Sequence, residues 1–325
     1  MRLGVPTVSV VLPVRDGERF LAQALEALSR QTFESFEALV IDDGSTDRSA
    51  AIALEHARAD ARVVLHRQPR RGIAAALNAG IAVARGRYIA RMDADDISHP
   101  SRLQRQVDFL DSHDECVGVG THLEVIDEEG QAMGLTRFPA RHPEIVRVMM
   151  GGTCAFAHAT VMMRKDALLA AGGYRGEYFP SEDLDLWLRL VDVGQLANVD
   201  EPLVRYRRHA GTVGARECDR QMVNMASLLN PARARQGLPP LAAGLAYGHT
   251  NHDATYHFEC VRIALTAGNR RAARRHALAC LRRAPGWWRP YVALASSFLL
   301  PDRALASAAR AYRTLRLRRT ALVAR

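Results

Sequence analysis

Over the first hundred residues, short apolar runs of strand length alternate with stretches whose apolar positions recur every three to four residues. Val8-Ser-Val-Val-Leu-Pro13 is a β-branched run closed by proline, the composition of a strand buried on both faces. Phe20, Leu21, Ala24, Leu25 and Leu28 then follow at helical spacing. The cycle repeats. Phe36–Ile41 predicts a second strand, and Ser45 or Thr46 is placed to cap a helix running to Ala59. Val63–His66 predicts a third strand, Ile73–Ala84 a helix and Tyr88–Met92 a fourth strand. Strand and helix alternating at this spacing predict βαβ units: a mostly parallel, Rossmann-like sheet flanked by helices.

Beyond residue 100 the pattern loosens. Pro100–Leu110 reads as a helix, Cys116–Gly120 and His122–Ile126 as strands, and Asp127–Gly130 as a turn. Ala159–Met163 and Leu203–Tyr206 read as strands, with a helix starting at Glu182-Asp183 between them. From Glu217 onward strand pattern disappears and Ala, Leu and Arg dominate. This predicts an α-helical extension divided by Pro231, Pro239-Pro240, Pro285 and Pro301. The expected division is therefore an α/β domain over 1–215 and a basic helical extension over 216–325.

Charge sharpens that division. The chain of 325 residues carries +9, with Lys165 its only lysine. Residues 1–215 hold 25 basic and 30 acidic groups, a balance of −5, whereas 216–325 hold 19 and 5, a balance of +14. The five cysteines are widely spaced without a CxxC pair, which points to a reducing compartment rather than a disulfide framework. No apolar run approaches the roughly 18 residues of a membrane span, so the expected location is the cytoplasm, extending to the inner face of the cytoplasmic membrane. There the basic helices, with Trp287-Trp288 beside Arg289, would meet anionic lipid. No nucleic-acid motif accompanies the charge, and no nucleic-acid partner is expected.

In open α/β sheets ligands bind beyond the carboxyl ends of the strands, and three clusters fall there: Pro13-Val-Arg15, Asp42-Asp43-Gly44 and Asp93-Ala-Asp-Asp96. Three carboxylates within four residues repel one another unless a cation joins them, and hard oxygen ligands suit Mg²⁺ or Mn²⁺. A solvated acidic turn and a phosphate-bridging metal site both fit the cluster alone; its place after a buried strand favours the metal.

Several ordered blocks resemble family 2 glycosyltransferases of the GT-A fold. They are Val8–Pro13, Gln31-Thr-Phe33, Val40-Ile-Asp-Asp-Gly-Ser-Thr-Asp47, Leu77-Asn-Ala-Gly-Ile81, Gly86-Arg-Tyr-Ile89, Asp93–Asp96, Pro100-Ser-Arg-Leu103 and Ser181-Glu-Asp183 with Asp185-Leu-Trp-Leu-Arg189. The resemblance spans roughly residues 7–210. It implies inverting transfer of a sugar from a nucleoside diphosphate donor to the hydroxyl of a glycan or glycolipid acceptor, in cell-surface polysaccharide synthesis.

The resemblance also implies roles. Asp43 would accept the base ring's N–H, a contact suited to uracil, with Pro13 and Arg15 lining the pocket and Asp42 either a second partner or a brace. Asp95 would hold the metal, Asp93 the metal or ribose, and Asp96 the loop or donor sugar. Asn78 would help place the nucleotide. Asp183 would be the base and Glu182 would orient the acceptor. His158 would close over the donor or acceptor, and His209 would add a late metal or diphosphate contact, with Arg207 and Arg208 as alternative phosphate partners. Two other readings stay open: a sugar nucleotidyltransferase, against which the single glycine after the first strand counts, and a non-catalytic nucleotide-binding module docking on membranes.

Overall fold

A computed structural model describes residues 4–212, 217–241 and 252–299, with positions 301 and 304. The chain forms two compact units, the first of residues 1–123 and 137–206, the second of 124–136 and 207–325.

In the first unit the βαβ expectation is realised. Strands β1 (Val8–Val14), β2 (Phe36–Asp43), β3 (Val63–Gln68) and β4 (Tyr88–Arg91) pair in parallel in the order β3-β2-β1-β4. Helices α1 (Leu21–Ser29), α2 (Ser49–Ala59) and α3 (Ile73–Val83) connect them. Every residue of β2 is buried, which explains why its sequence is apolar without alternation. Of its three acidic residues Asp42 and Asp43 close the strand, and buried Glu37 is satisfied locally: it accepts from Ser9 Oγ at 2.7 Å and pairs with Arg85 at 2.6 Å. Two apolar layers sandwich the sheet. Leu77 and Ile81 of α3 pack with Val11 and Leu39 on one side, and Leu21, Leu25 and Leu28 of α1 with Val10, Leu12 and Val40 on the other. At Gly80, α3 comes so close to β1 that a Cβ would lie 2.5 Å from Val11 Cγ1.

Past β4 the sheet turns antiparallel. The short strand β5 (Ile97–Ser98) and helix α4 (Arg102–Ser112) lead to β6 (Cys116–Ile126), β7 (Ala132–Thr136) and, after α5 (His142–Met150), β8 (Met162–Arg164). Then come α6 (Lys165–Ala170), α7 (Glu182–Leu190) and β9 (Gln195–Arg207). Strand order continues β4-β8-β6-β9-β5, with β8 antiparallel to both neighbours. Lys165 Nζ donates to the Ala84 carbonyl at 2.5 Å.

Several boundaries differ from the sequence reading. Ser45 and Thr46 do not cap α2, which begins at Ser49 without a side-chain cap; Ser45 Oγ instead accepts the Asp16 amide at 3.0 Å. The two strands expected over 116–126 are one, because Thr121 is buried and its backbone N–H is satisfied by Thr160 Oγ1 at 3.1 Å. The strand expected at Ala159–Met163 opens as a 3-10 turn over His158–Thr160 and starts only at Met162.

The second unit holds helices α8 (Cys218–Arg235), α9 (His252–Thr266), α10 (Arg270–Arg283) and α11 (Trp288–Leu299), together with β7. Pro231 does not divide helices; it lies inside α8, near its end. Pro285 does separate α10 from α11. Buried Asp127 accepts from the Gln131 amide at 2.7 Å and from Arg275, while the Arg207 guanidinium donates to the Glu128 carbonyl at 3.0 Å. Among the described residues no helix is long and apolar enough to cross a membrane. The Arg316–Arg319 cluster lies outside the described residues.

Candidate active site

The carboxyl ends of β2, β1 and β4 lie side by side, and each carries one of the expected clusters. The first two are laced together. The Asp16, Gly17 and Glu18 amides donate to Ser45 Oγ, Ser49 Oγ and Asp47 Oδ2 at 2.9–3.0 Å, and Asp16 Oδ1 accepts the Thr46 amide at 2.8 Å. That return bond accounts for the left-handed backbone at Asp16, φ 50°. Half-buried Pro13 precedes this loop, and Arg15 stands exposed on it, 3.6 Å from Asp16.

Buried Asp42 accepts from the Ser45 amide at 2.9 Å and from Arg67 Nε at 3.1 Å. Asp43 is more heavily engaged. Its Oδ1 accepts from Gln68 Nε2 at 2.7 Å and the Arg71 amide at 2.8 Å, and its Oδ2 from the Gly72 amide at 2.8 Å. Three of about four acceptor positions on this carboxylate thus shape the 68–72 loop. Gly44 seals the approach: with φ +72°, any Cβ there would sit 2.9 Å from the Arg70 amide. Asn78 faces elsewhere. Its amide forms a two-way staple with the Tyr174 backbone, Nδ2 donating to the carbonyl at 2.8 Å and Oδ1 accepting from the N–H at 2.9 Å.

At the end of β4, ligand atoms of Asp93, Asp95 and Asp96 lie within 4.8 Å of one another. Buried Arg91 donates to Asp93. Even so, the Asp93 carboxyl is held above its ordinary value, by burial first and by the Asp95 charge, with Arg91 opposing both. Below the loop, fully buried Arg102 donates to the Arg91 carbonyl at 2.6 Å and to Gln106 Oε1 at 3.0 Å, and Gln106 in turn holds the Val119 and Thr160 carbonyls. Burial and the Arg91 charge push Arg102 down to about 10.

Helix α7 supplies the third element. At its first turn, where the macrodipole favours anions, Glu182 is buried and pushed up to about 7 by that burial and by the neighbouring Asp183 charge. Asp183 is likewise raised by burial, against hydrogen bonding from the Leu184 amide (2.7 Å) and the Arg91 charge. Asp185 pairs with Arg189 at 2.5 Å, and Arg189 donates to the Gly173 carbonyl at 2.8 Å, so the rest of the block braces the Ala171–Gly173 segment. Trp187 meets Phe156 edge-on at 4.8 Å and His158 at 5.8 Å. His158 Nε2 hydrogen-bonds Tyr174 Oη at 2.9 Å; burial and the Arg91 charge keep the imidazole well below its usual value, hence neutral.

The first unit therefore brings together Asp93, Asp95 and Asp96, and sets Arg91 where its charge acts on Asp93, Glu182, Asp183 and His158. Arg91 and Tyr174 escaped the sequence reading. A single arginine inside an apolar strand run, Tyr88-Ile-Ala-Arg-Met92, was the available signal for the first; nothing local marks the second. His209 belongs to the second unit, where its Nδ1 accepts the Gly211 amide at 3.2 Å, and the three-aspartate group does not include it. Arg207 is buried against the 127–128 carbonyls, which places it in the structure of that turn rather than at a phosphate.

An acidic cluster at the end of β4 and paired carboxylates at the start of α7, both acted on by the Arg91 charge, thus form one polar site in a sheet that turns from parallel to antiparallel. Residues 9–170 match the model of Glycosyl transferase family 2. EpsE of Bacillus subtilis, named as a glycosyltransferase, is 38% identical over 207 residues, covering 62% of this chain and 73% of EpsE. The Escherichia coli O-antigen biosynthesis glycosyltransferase WbnJ is 33% identical, covering 62% of this chain and 80% of WbnJ. The chain belongs to glycosyl transferase family 2 and is a glycosyltransferase. Among solved structures, S. aureus TarS 1-349 in complex with UDP-GlcNAc superposes with a TM-score of 0.55 at 17% identity, over 93% of this chain and 91% of that one. The mannosyltransferase PcManGT from Pyrobaculum calidifontis, with GDP-Man and Mn²⁺, gives 0.52 at 17% identity, over 94% and 84%. These two likenesses establish the GT-A fold.

Proposed function

We propose that this glycosyltransferase moves a sugar from a UDP donor to a hydroxyl of a cell-surface glycan, with inversion at the anomeric carbon. The observation that carries the reading is the meeting of two carboxylate groups around one buried cation: Asp93, Asp95 and Asp96 at the end of β4, and Glu182 with Asp183 at the start of α7, both within the field of Arg91. The O-antigen role of WbnJ supports the glycan class, and the UDP-GlcNAc held by TarS supports the donor.

Asp95 and Asp93 fit a hard divalent cation, since they offer oxygen ligands close enough to share one and an acidic surplus that it would relieve. When bound, Mn²⁺ or Mg²⁺ supplies charge neutralisation for a departing diphosphate. The remaining acceptor position of Asp43 is offered to the uracil N–H, with Pro13 and Arg15 beside it and Asp42 bracing the turn. Asp96 supports the acidic loop from below. On the acceptor side, Asp183 takes the hydroxyl proton as the acceptor oxygen bonds to the anomeric carbon and the bond to the diphosphate oxygen breaks. A carboxyl raised towards neutrality by burial is suited to that work. Glu182, its carboxyl raised by burial and by the Asp183 charge, orients the acceptor. Neutral His158, fixed by Tyr174, lines the same space, and Asn78 acts at one remove by holding Tyr174.

Thermal-shift titration with UDP, GDP and dTDP, with and without Mn²⁺, tests the donor side. UDP with Mn²⁺ is expected to stabilise most, approaching about 2.7 kcal/mol at a hundredfold excess over Kd; equal stabilisation by GDP overturns the uracil assignment. For the acceptor side, Asp183→Asn is expected to keep the UDP shift while turnover falls by about 10²-fold or more. Turnover like that of the wild type would remove Asp183 from the mechanism.

A further inference from the structure

Helix α11 presents an apolar face that the described residues leave open. Pro290 and Ser297 face inward, and Arg270 and Arg274 donate to the Ser297 carbonyl at 3.0 and 2.6 Å, which fixes the helix on α10. On the opposite face, at helical spacing, Trp288, Tyr291, Val292, Phe298 and Leu299 are 65, 50, 53, 61 and 79% exposed. Ala295 fills the same stripe, and no polar residue interrupts it. Single exposed apolar residues are ordinary on protein surfaces; a continuous stripe with two large aromatics at one end and Phe-Leu at the other marks an interaction site.

Charge selects the occupant. Residues 260–301 contain eight arginines and no Asp or Glu. Arg271, Arg282 and Arg283 are exposed, Arg289 lies over the Trp288 ring at 5.9 Å, and Arg274 stacks on Phe298 at 3.6 Å. A second copy seated on this face by a two-fold axis would set arginines against arginines. The chain's own residues 302–325 carry seven arginines and one aspartate, and would meet the same repulsion. A surface that is apolar beneath and anionic at its boundary satisfies both properties, with Trp and Tyr at the level of the headgroups.

We propose that the Trp288–Leu299 face is a docking surface for an anionic phospholipid bilayer, the apolar stripe entering the interface while the flanking arginines engage headgroup phosphates. Bilayer docking is read out without any measurement of activity. The full chain is expected to sediment with vesicles of phosphatidylcholine and phosphatidylglycerol and to remain in the supernatant with phosphatidylcholine alone. Trp288→Ser with Phe298→Ser should weaken that binding by at least about tenfold. Arg282→Glu with Arg283→Glu should weaken it by about fivefold per arginine or more. The UDP thermal shift, unchanged in each variant, shows that the protein remains folded; Tyr291→Ser with Leu299→Ser replaces the first pair should it fail that check. Retention of wild-type vesicle binding by both apolar pairs overturns the proposal. So does absence of vesicle binding in the wild type, whether a mass twice that of the chain assigns the face to a second copy, or a drop in melting temperature of the serine variants assigns it to the chain's own later residues.

Discussion

Arg91 sits where the site's charges are balanced, although it belongs to none of the clusters that acidic spacing reveals. Its guanidinium contacts Asp93, and its charge lowers the carboxyls of Asp183 and Glu182 against the burial that raises them. The sign of its removal follows. Without the cation, protonated Asp183 is favoured further, its value rises, and the proposed base, which must be ionised to act, becomes available only at higher pH. The ascending limb of kcat/KM against pH is therefore expected to lie above the usual carboxylate range in the wild type, to move higher in Arg91→Ala, and to return most of the way in Arg91→Lys. An unmoved limb in a folded Arg91→Ala protein would show that the two carboxylate groups are independent. The acidic residues were legible in the sequence because each follows a buried strand or opens a helix. Arg91 and Tyr174 were not, because their meaning lies in partners from distant parts of the chain: Arg91 acts on Asp183 and Tyr174 is held by Asn78.

At the scale of elements, the parallel half of the fold could be read almost residue by residue because β1, β2 and β4 are buried on both faces and each helix shows one apolar side. What stayed hidden was short or locally polar. β7, α5 and α6 run only five, nine and six residues, too few for their apolar positions to establish a period, and β6 looked broken at Thr121 only because a buried hydroxyl partner was invisible. The loop after β2 offered two capping residues, yet Ser45 serves the β1 loop instead, so a local rule yielded to a contact 29 residues away. Gly80 allows a test in which two rules oppose. Helix propensity alone favours Gly80→Ala by about 1 kcal/mol, whereas a Cβ 2.5 Å from Val11 and 3.2 Å from Ile41 overpacks the contact between α3 and β1. Urea denaturation is expected to show a loss of about 1–3 kcal/mol; a gain would mean that the helix shifts outward at little cost.

For the whole molecule, the total of +9 conceals a division of labour between an acidic-leaning stretch that holds the carboxylates and a later stretch at +14. The two should respond differently to ionic strength. Raising salt to about 1 M shortens the screening length to about 3 Å, so vesicle binding is expected to weaken steeply while the UDP thermal shift in Mn²⁺, carried by short-range hydrogen bonds and ligation, changes little. Parallel decline of both would tie the nucleotide site to long-range attraction instead.

The choice of arginine for nearly every cation has a practical outcome. Lys165 is the one lysine of the chain, and its ammonium is engaged with the Ala84 carbonyl. Reagents that acylate or crosslink side-chain amines therefore find no target anywhere on the arginine-rich later stretch. Exhaustive acetylation leaves that surface at full charge, whereas dicarbonyls that modify guanidinium groups discharge it. The pair of treatments distinguishes attachment through this surface from attachment through a lysine-bearing contaminant or partner without altering a single codon.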